Sequence, residues 1–176
     1  MKTRRERKNK IFTSRKLILY SVFSAAAVAL SAVESMIPVP VPVPGVRLGL
    51  ANVVTLVILL NERTPVPAIA VTIVRCTLSA LLLGAFSSLL FSLAGGVISC
   101  LIMWLLLHFN FTWSPVGISV FGALTHNVAQ LATAALIARN TAVFSYLSPL
   151  LIAGAATGFA TGFISLKLKR IVYFKS

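Results

Sequence analysis

Residues 17–44 read LILYSVFSAAAVALSAVESMIPVPVPVP, an apolar run of helix length that stops at a series of alternating prolines. A bilayer core is crossed by about 20 apolar residues, with roughly 17 to 25 tolerated. Proline lacks a backbone donor and cannot continue a helix, so the run at 38–45 favours an extended, polyproline-like segment. The stretch therefore predicts a membrane-spanning helix at about 17–37, followed by a stiff loop.

Five further apolar runs follow, at about 46–60, 66–83, 85–107, 116–138 and 143–166, each bounded by proline, glycine or charge. The composition agrees, since 58% of the 176 residues are hydrophobic and 11% are charged, against about 25% charged in an ordinary soluble domain. This composition excludes a soluble enzyme. The sequence predicts an all-α integral membrane protein with six transmembrane helices.

The basic residues lie mainly at the two ends of the chain. Eight of the 16 Lys and Arg residues precede residue 17, and four follow residue 166. Such clusters beside apolar helices favour cytoplasmic retention over nucleic-acid binding. With both termini cytoplasmic, the inner segments hold thirteen basic residues and the outer loops two. We expect basic cytoplasmic tails at 1–16 and 167–176 around a transmembrane domain at 17–166 in the cell membrane.

Arg75 is predicted near the middle of the third span, where a charge is expensive. A charged residue at mid-bilayer costs from about 2.5 to about 10 kcal/mol or more and normally faces a cavity or a partner. The one carboxylate predicted within a span is Glu34, near the outer end of the first. Two interpretations stay open: Arg75 has a structural partner, either Glu34 or backbone carbonyls, or it binds an anionic ligand.

A second polar group lies in the fifth span. His126 and Gln130 share a helix face and Asn127 lies about 100° round the axis; packing and substrate contact both stay open for them. Together with the start of the second span, the polar residues converge on the outer half of the bundle. They predict an outward-facing pocket for an anionic or polar solute with an apolar part, formed by Glu34, Arg47, Asn52, Arg75, His126, Asn127 and Gln130.

Catalytic chemistry finds little support in the sequence. The three acidic residues are Glu6, Glu34 and Glu62, and there is no aspartate. The chain has no phosphate-binding loop of the GxxxxGK[ST] type, no set of ligands at metal spacing and no supported Ser–His–acid set. The sequence thus predicts a protein that is not an enzyme, without catalytic residues, bound metal or cofactor.

Small residues at four-residue spacing mark two helix faces. The sixth span carries Gly154, Gly158 and Gly162, for which packing within the chain is favoured over oligomerisation. The first span carries Ala25 and Ala29, a face that either packs internally or receives a partner protein.

Three separated segments resemble the Gx transporter family, whose members are often labelled heptaprenyl diphosphate synthase component I. They are PGVRLGLAN at 44–52, SLAGG at 92–96, and GIS at 117–119 followed by Gly122 and THNVAQ at 125–130. That family is similar to the substrate-binding S components of energy-coupling factor (ECF) transporters. The resemblance covers about 17–166.

The resemblance implies a six-helix prokaryotic membrane bundle that captures a vitamin-like solute from outside and has no energy source of its own. It implies docking onto a transmembrane coupling protein carried by two ABC ATPases, through an Ala-x-x-x-Ala face that Ala25 and Ala29 fit. By position, substrate residues of the wider class map onto Arg47, Asn52 and the fifth-span group. The sequence thus favours an S component of an ECF-type importer.

The synthase label is a weak guide to catalysis. Prenyl diphosphate synthases are similar to one another in aspartate-rich motifs that bind Mg²⁺, an ion that prefers carboxylate oxygens, and this chain has no aspartate. Two alternatives remain. One is a non-catalytic membrane accessory protein linked to prenyl diphosphate or quinone metabolism; the other is a stand-alone secondary carrier with His126 and Glu34 as proton relays.

Overall fold

The computed structural model describes residues 4–36, 47–62, 64–84, 86–109 and 113–171, which form six α-helices and no strand. The all-α class and the six helices are confirmed. The extended conformation predicted for 38–45 lies outside the described residues, as does Arg63. The helices are α1 Arg4–Ser35, α2 Asn52–Asn61, α3 Val66–Leu83, α4 Phe86–His108, α5 Pro115–Ala138 and α6 Leu147–Ile171, with a 3₁₀ segment Thr141–Tyr146 before α6.

Five helical segments of the described chain are long and apolar enough to cross a membrane: Ser14–Ser35, Val66–Leu83, Ser88–His108, Pro115–Ala138 and Thr141–Lys169. The exception is α2, whose ten residues extend about 15 Å, half of a bilayer core of about 30 Å. The second span predicted at 46–60 is therefore wrong in its first part. Residues 47–49 are not helical, and Gly49, at φ +87°, interrupts the helix before Asn52.

Two other boundaries differ from the sequence prediction. Helix α1 begins at Arg4, well before the predicted span, because lysine, arginine and glutamate are good helix formers and apolarity marks only the part that suits lipid. The last span begins as the 3₁₀ segment and α6 continues to Ile171. The predicted break at Gly84 is confirmed, since this glycine ends α3 at φ +64°.

The glycine stripe of α6 packs against α5 in the most extensive helix contact of the fold. A Cβ atom at Gly158 would lie 2.7 Å from Cα of Val120, and one at Gly162 would lie 2.7 Å from Cα of Val116. The Ser119 and Thr161 hydroxyls are hydrogen-bonded across the same seam at 2.8 Å. Packing within the chain, one of the two interpretations, is confirmed for these glycines.

Helix α2 lies in the middle of the bundle. All residues from Asn52 to Leu59 are buried, as expected for a helix that is apolar all round. Thr55 is hydrogen-bonded to Thr72 of α3 at 3.2 Å, and Ser165 of α6 donates to the carbonyl of Val53 at 3.3 Å. This central helix brings its N-terminal end to the polar residues singled out by the sequence.

Candidate functional site

The non-helical segment before α2 is anchored by side chains from α1 and α5. The Arg47 backbone N–H donates to Oε1 of Gln130 at 2.9 Å, and the Gly49 N–H donates to Oε1 of Glu34. Non-helical backbone at membrane depth needs such partners, because lipid offers none. One carboxylate oxygen and one amide oxygen of the predicted pocket thus accept hydrogen bonds from backbone N–H groups.

Gly49 allows the chain to turn tightly beside the fifth helix. Its φ of +87° lies in the left-handed region, which favours glycine. A Cβ atom there would lie 3.1 Å from Nδ2 of Asn52 and 3.2 Å from Cδ2 of His126. The turn therefore places Asn52, at the first position of α2, next to His126.

Gln130 fixes the hydrogen-bonding state of His126. Because Oε1 of Gln130 accepts from the Arg47 N–H, its amide nitrogen faces Nε2 of His126 at 2.7 Å. An amide nitrogen only donates, so Nε2 is the acceptor and the imidazole proton resides on Nδ1. The result is a neutral histidine whose buried Nδ1–H lies against the α4 backbone at Gly95.

Arg75 and Glu34 lie near each other but are not directly paired. The side chain of Arg75 is 2% exposed, and its Nη1 lies 3.5 Å from Oγ of Ser31, while Nε and Nη2 have no partner. Arg75 and Arg47 are both close enough to act electrostatically on Glu34. Within the described chain the one ion pair lies elsewhere, between Lys16 and Glu62 at 2.6 Å.

Two adjacent glycines of α4, which belong to the SLAGG segment at 92–96, line this site. A Cβ at Gly95 would lie 2.8 Å from Cγ of Gln130 and 3.0 Å from Nδ1 of His126. A Cβ at Gly96 would lie 2.6 Å from Cγ2 of Thr72 and 3.2 Å from Nη2 of Arg75. The pair GG at 95–96 therefore lets α3 and α5 bring their polar side chains against one strip of α4 backbone.

Asn127 is directed toward α6. Its Nδ2 donates to the Leu150 carbonyl at 2.8 Å, and a Cβ at Gly154 would lie 2.3 Å from the same nitrogen. The contacts of this side chain therefore belong to the α5–α6 seam, although its Oδ1 has no partner. The polar group of the fifth span is thus divided between two sides of α5.

Buried polar atoms without partners are concentrated in these residues. Buried polar groups normally have a hydrogen-bond partner, because an unmade bond costs about 1–3 kcal/mol. A cluster of such atoms is typical of a site that binds a further group. Within the described chain they are Glu34 Oε2, Asn52 Nδ2 and Oδ1, Arg75 Nε and Nη2, Ser79 Oγ, Ser92 Oγ, His126 Nδ1 and Asn127 Oδ1.

The face predicted for a partner protein is accessible. Ala25 and Ala29 are both exposed on α1. Ala25 also lines a groove of 450 Å³ between α1 and α3, whose other walls include Tyr20, Ala70 and Val74. The groove lies apart from the polar cluster, so the two predicted surfaces occupy different parts of the bundle.

Metal chemistry has no cluster to support it in the part of the chain that the structure describes, where no three His, Cys, Asp or Glu side chains come together. Cys76 and Cys100 are both free and buried.

The comparison with protein families gives a match over most of the chain. Residues 23–168 match the family described as heptaprenyl diphosphate synthase component I. The chain belongs to this family. The match begins within α1 and ends near the end of α6, so it covers the whole polar cluster and the helices that position it. No curated protein and no solved structure matches the chain.

Proposed function

We propose that the protein is the non-catalytic, substrate-binding component of an ECF-type importer and captures a small anionic or polar solute within its outer half. The observation that carries the proposal is the cluster of buried side chains with unpartnered polar atoms, from Glu34, Asn52, Arg75 and His126. Lipid-embedded proteins retain such groups where they bind something. A bundle that only fills space would not need them.

The charges of the cluster support an anionic solute. Arg47, Arg75 and Glu34 are 7%, 2% and 2% exposed, and with Glu34 ionised they leave one positive charge unbalanced. In a low-dielectric interior, a bound anion offsets that charge more effectively than water would. The Gly49 turn brings Asn52 beside His126, and the α4 glycines bring His126 and Arg75 against adjacent positions of α4.

The orientation completes the proposal. The basic ends of the chain favour cytoplasmic termini, and in that orientation the N-terminal end of α2 and the polar cluster would face the outer side of the cell membrane. The exposed face of Ala25 and Ala29, beside the α1–α3 groove, would then contact a transmembrane coupling protein that is driven by two ABC ATPases. Capture and energy supply would use separate surfaces.

The experiment is co-purification with a coupling protein and its two ATPases from cells that express all four chains. We expect a stable complex, and we expect Ala25→Trp and Ala29→Trp to abolish it, because the bulky indole fills the small-residue face. Ala156→Trp is the matched control, since Ala156 is a small exposed residue on α6. Assembly that survives both α1 substitutions would refute the docking surface.

The name of the family favours a second function, as a non-catalytic membrane accessory of prenyl diphosphate synthesis. Under that function, deletion of the gene would lower heptaprenyl diphosphate synthesis by membranes while solute uptake stayed normal. Under the importer proposal, uptake falls and the synthase activity does not.

Purified protein alone in liposomes should transport poorly, whereas a stand-alone carrier would transport efficiently.

A further inference from the structure

Arg75 offers one complete edge of its guanidinium group inside the cluster. Nη1 is directed to Ser31, and the two remaining nitrogens, Nε and Nη2, are buried without partners. These two nitrogens form the edge that donates two parallel hydrogen bonds to a planar group with two oxygens. The free edge therefore fits a carboxylate, with phosphate as the competing chemistry.

The charge balance of the site distinguishes a carboxylate ligand from a phosphate ligand. With Glu34 ionised, Arg47 and Arg75 leave one positive charge, which a single carboxylate neutralises. A phosphate monoester carries about −1.5 to −2 at pH 7 and would leave the cluster with a buried negative charge. Burying an uncompensated charge is far costlier than burying a balanced set. The site favours a monoanion.

The acceptors of the cluster specify the rest of the ligand. Oε1 of Glu34 accepts from Gly49 and the Leu50 N–H lies beside the same carboxylate, but neither Oε2 of Glu34 nor Oδ1 of Asn52 has a partner at hydrogen-bond geometry. A ligand that carried only oxygen acceptors would leave both of these atoms unsatisfied. The bound molecule must donate hydrogen bonds as well as present an anionic group.

We propose that the cluster binds a small organic monocarboxylate that also carries hydroxyl or N–H donors. The carboxylate lies on the Nε–Nη2 edge of Arg75, and a donor of the ligand reaches Oε2 of Glu34. This inference names the solute class of the proposed importer and rests on that function. It assigns Arg75 and Glu34 to different groups of the ligand, and the two side chains form no direct ion pair.

The test is the chemistry of the small molecule that the detergent-purified full chain retains from its host. The molecule is released by denaturation, and its mass is measured by mass spectrometry. The mass is measured again after carbodiimide coupling to methylamine, which converts each carboxylate into an amide. We expect one coupling per molecule and no phosphorus. Inorganic phosphate in the wash buffer should not displace it.

Three variants locate the contact. Arg75→Lys keeps the charge but loses the two-nitrogen edge, and we expect retention to fall about tenfold. In Glu34→Gln, the oxygen that accepts from Gly49 is preserved and the free oxygen becomes an amide donor, so retention should also fall. Arg139→Lys, at an exposed position, should retain the wild-type amount. Size-exclusion profiles and melting temperatures check that each variant is folded.

Several results would overturn the inference. They are an empty wild-type protein, a retained molecule that couples twice or not at all, one that contains phosphorus, and unchanged retention by folded Arg75→Lys. Co-purification with the coupling protein and the ATPases is measured on the same preparations. If the complex forms while the carboxylate result fails, the solute class is wrong and the importer proposal stands; if the complex fails as well, both are wrong.

Discussion

Replacement of Gln130 by methionine tests the hydrogen-bond chain at the entrance to α2. Gln130 is fully buried, and its amide group serves the Arg47 N–H at 2.9 Å and Nε2 of His126 at 2.7 Å. Methionine has nearly the same length and no group that can replace either bond. The substitution therefore leaves a buried backbone donor and an imidazole nitrogen unsatisfied.

The magnitude follows from these two contacts. A buried donor left without a partner costs about 1–3 kcal/mol, whereas side-chain hydrogen bonds within membranes average about 0.6 kcal/mol with a maximum of about 1.7 kcal/mol. We expect Gln130→Met to lower the free energy of unfolding by about 1–3 kcal/mol in total. At about 2–4 °C per kcal/mol for a chain of this size, the melting temperature should fall by about 2–12 °C.

The assay combines thermal unfolding in detergent with nitrogen NMR of the imidazole. Thr133→Val is the control for unfolding, because Thr133 donates only to the Ala129 carbonyl of its own helix. Its free energy of unfolding should lie within about 1 kcal/mol of the wild-type value. In a His108→Gln background a single histidine remains, and its proton should be on Nδ1. Gln130→Glu places an oxygen against Nε2 and should move the proton there. A wild-type imidazole protonated on Nε2, or a Gln130→Met variant that melts like wild type, would refute the reasoning.

Three further predictions concern glycines and the contact of Glu62 with Lys16 and Tyr20 of α1. Gly158→Ala places a Cβ 2.7 Å from α5 backbone and should lower stability by about 1–3 kcal/mol, whereas Gly117→Ala, with 3.4 Å to its nearest neighbour, should be near neutral in the same melting assay. Gly49→Ala should lose more stability and more retained solute than Gly84→Ala: both glycines have positive φ, but a Cβ is crowded only at Gly49. Glu62→Gln removes the negative charge that accepts from two α1 donors at 2.6 Å, so the melting temperature should fall by a few degrees and depend less on salt than that of wild type.

Helix number and most helix ends are visible in the sequence because they depend on local chemistry. Gly84 ends α3, and Pro115 with Ser114 begins α5, where the serine side chain accepts from the Gly117 N–H at 3.1 Å. A span is decided by some 20 neighbouring side chains, roughly the length of a bilayer core. Such signals need no knowledge of the rest of the fold.

The error at α2 has a different origin. The residues 46–60 are apolar enough for a span, and apolarity alone does not show that Arg47–Gly49 are unwound. The unwinding depends on Glu34 and Gln130, which lie far away in sequence and supply acceptors to the backbone. Contacts of this kind are tertiary, so hydropathy and helix propensity do not report them.

The candidate site likewise has a part that local sequence predicts and a part that depends on tertiary contacts. The sequence selects Arg75, Asn52 and His126 because polar groups in apolar spans need an explanation. It does not show which of their atoms are already occupied, and Asn127 illustrates the limit, since its contacts lie on the α6 side of its helix. Gly95 and Gly96 carry no chemistry of their own and become recognisable only when the side chains packed against them are known.

The segment before α2 also constrains the order in which the chain can be completed. Arg47 and Leu48 emerge from the ribosome early, yet their backbone partners are Gln130 of α5 and Thr157 of α6, and the Val53 carbonyl accepts from Ser165 near the end of the chain. Contacts between residues this far apart in sequence form late and slowly. A chain truncated before α6 would therefore lack the Thr157 and Ser165 hydroxyls that contact the Leu48 and Val53 carbonyls, and the backbone at the start of α2 would lose these two partners.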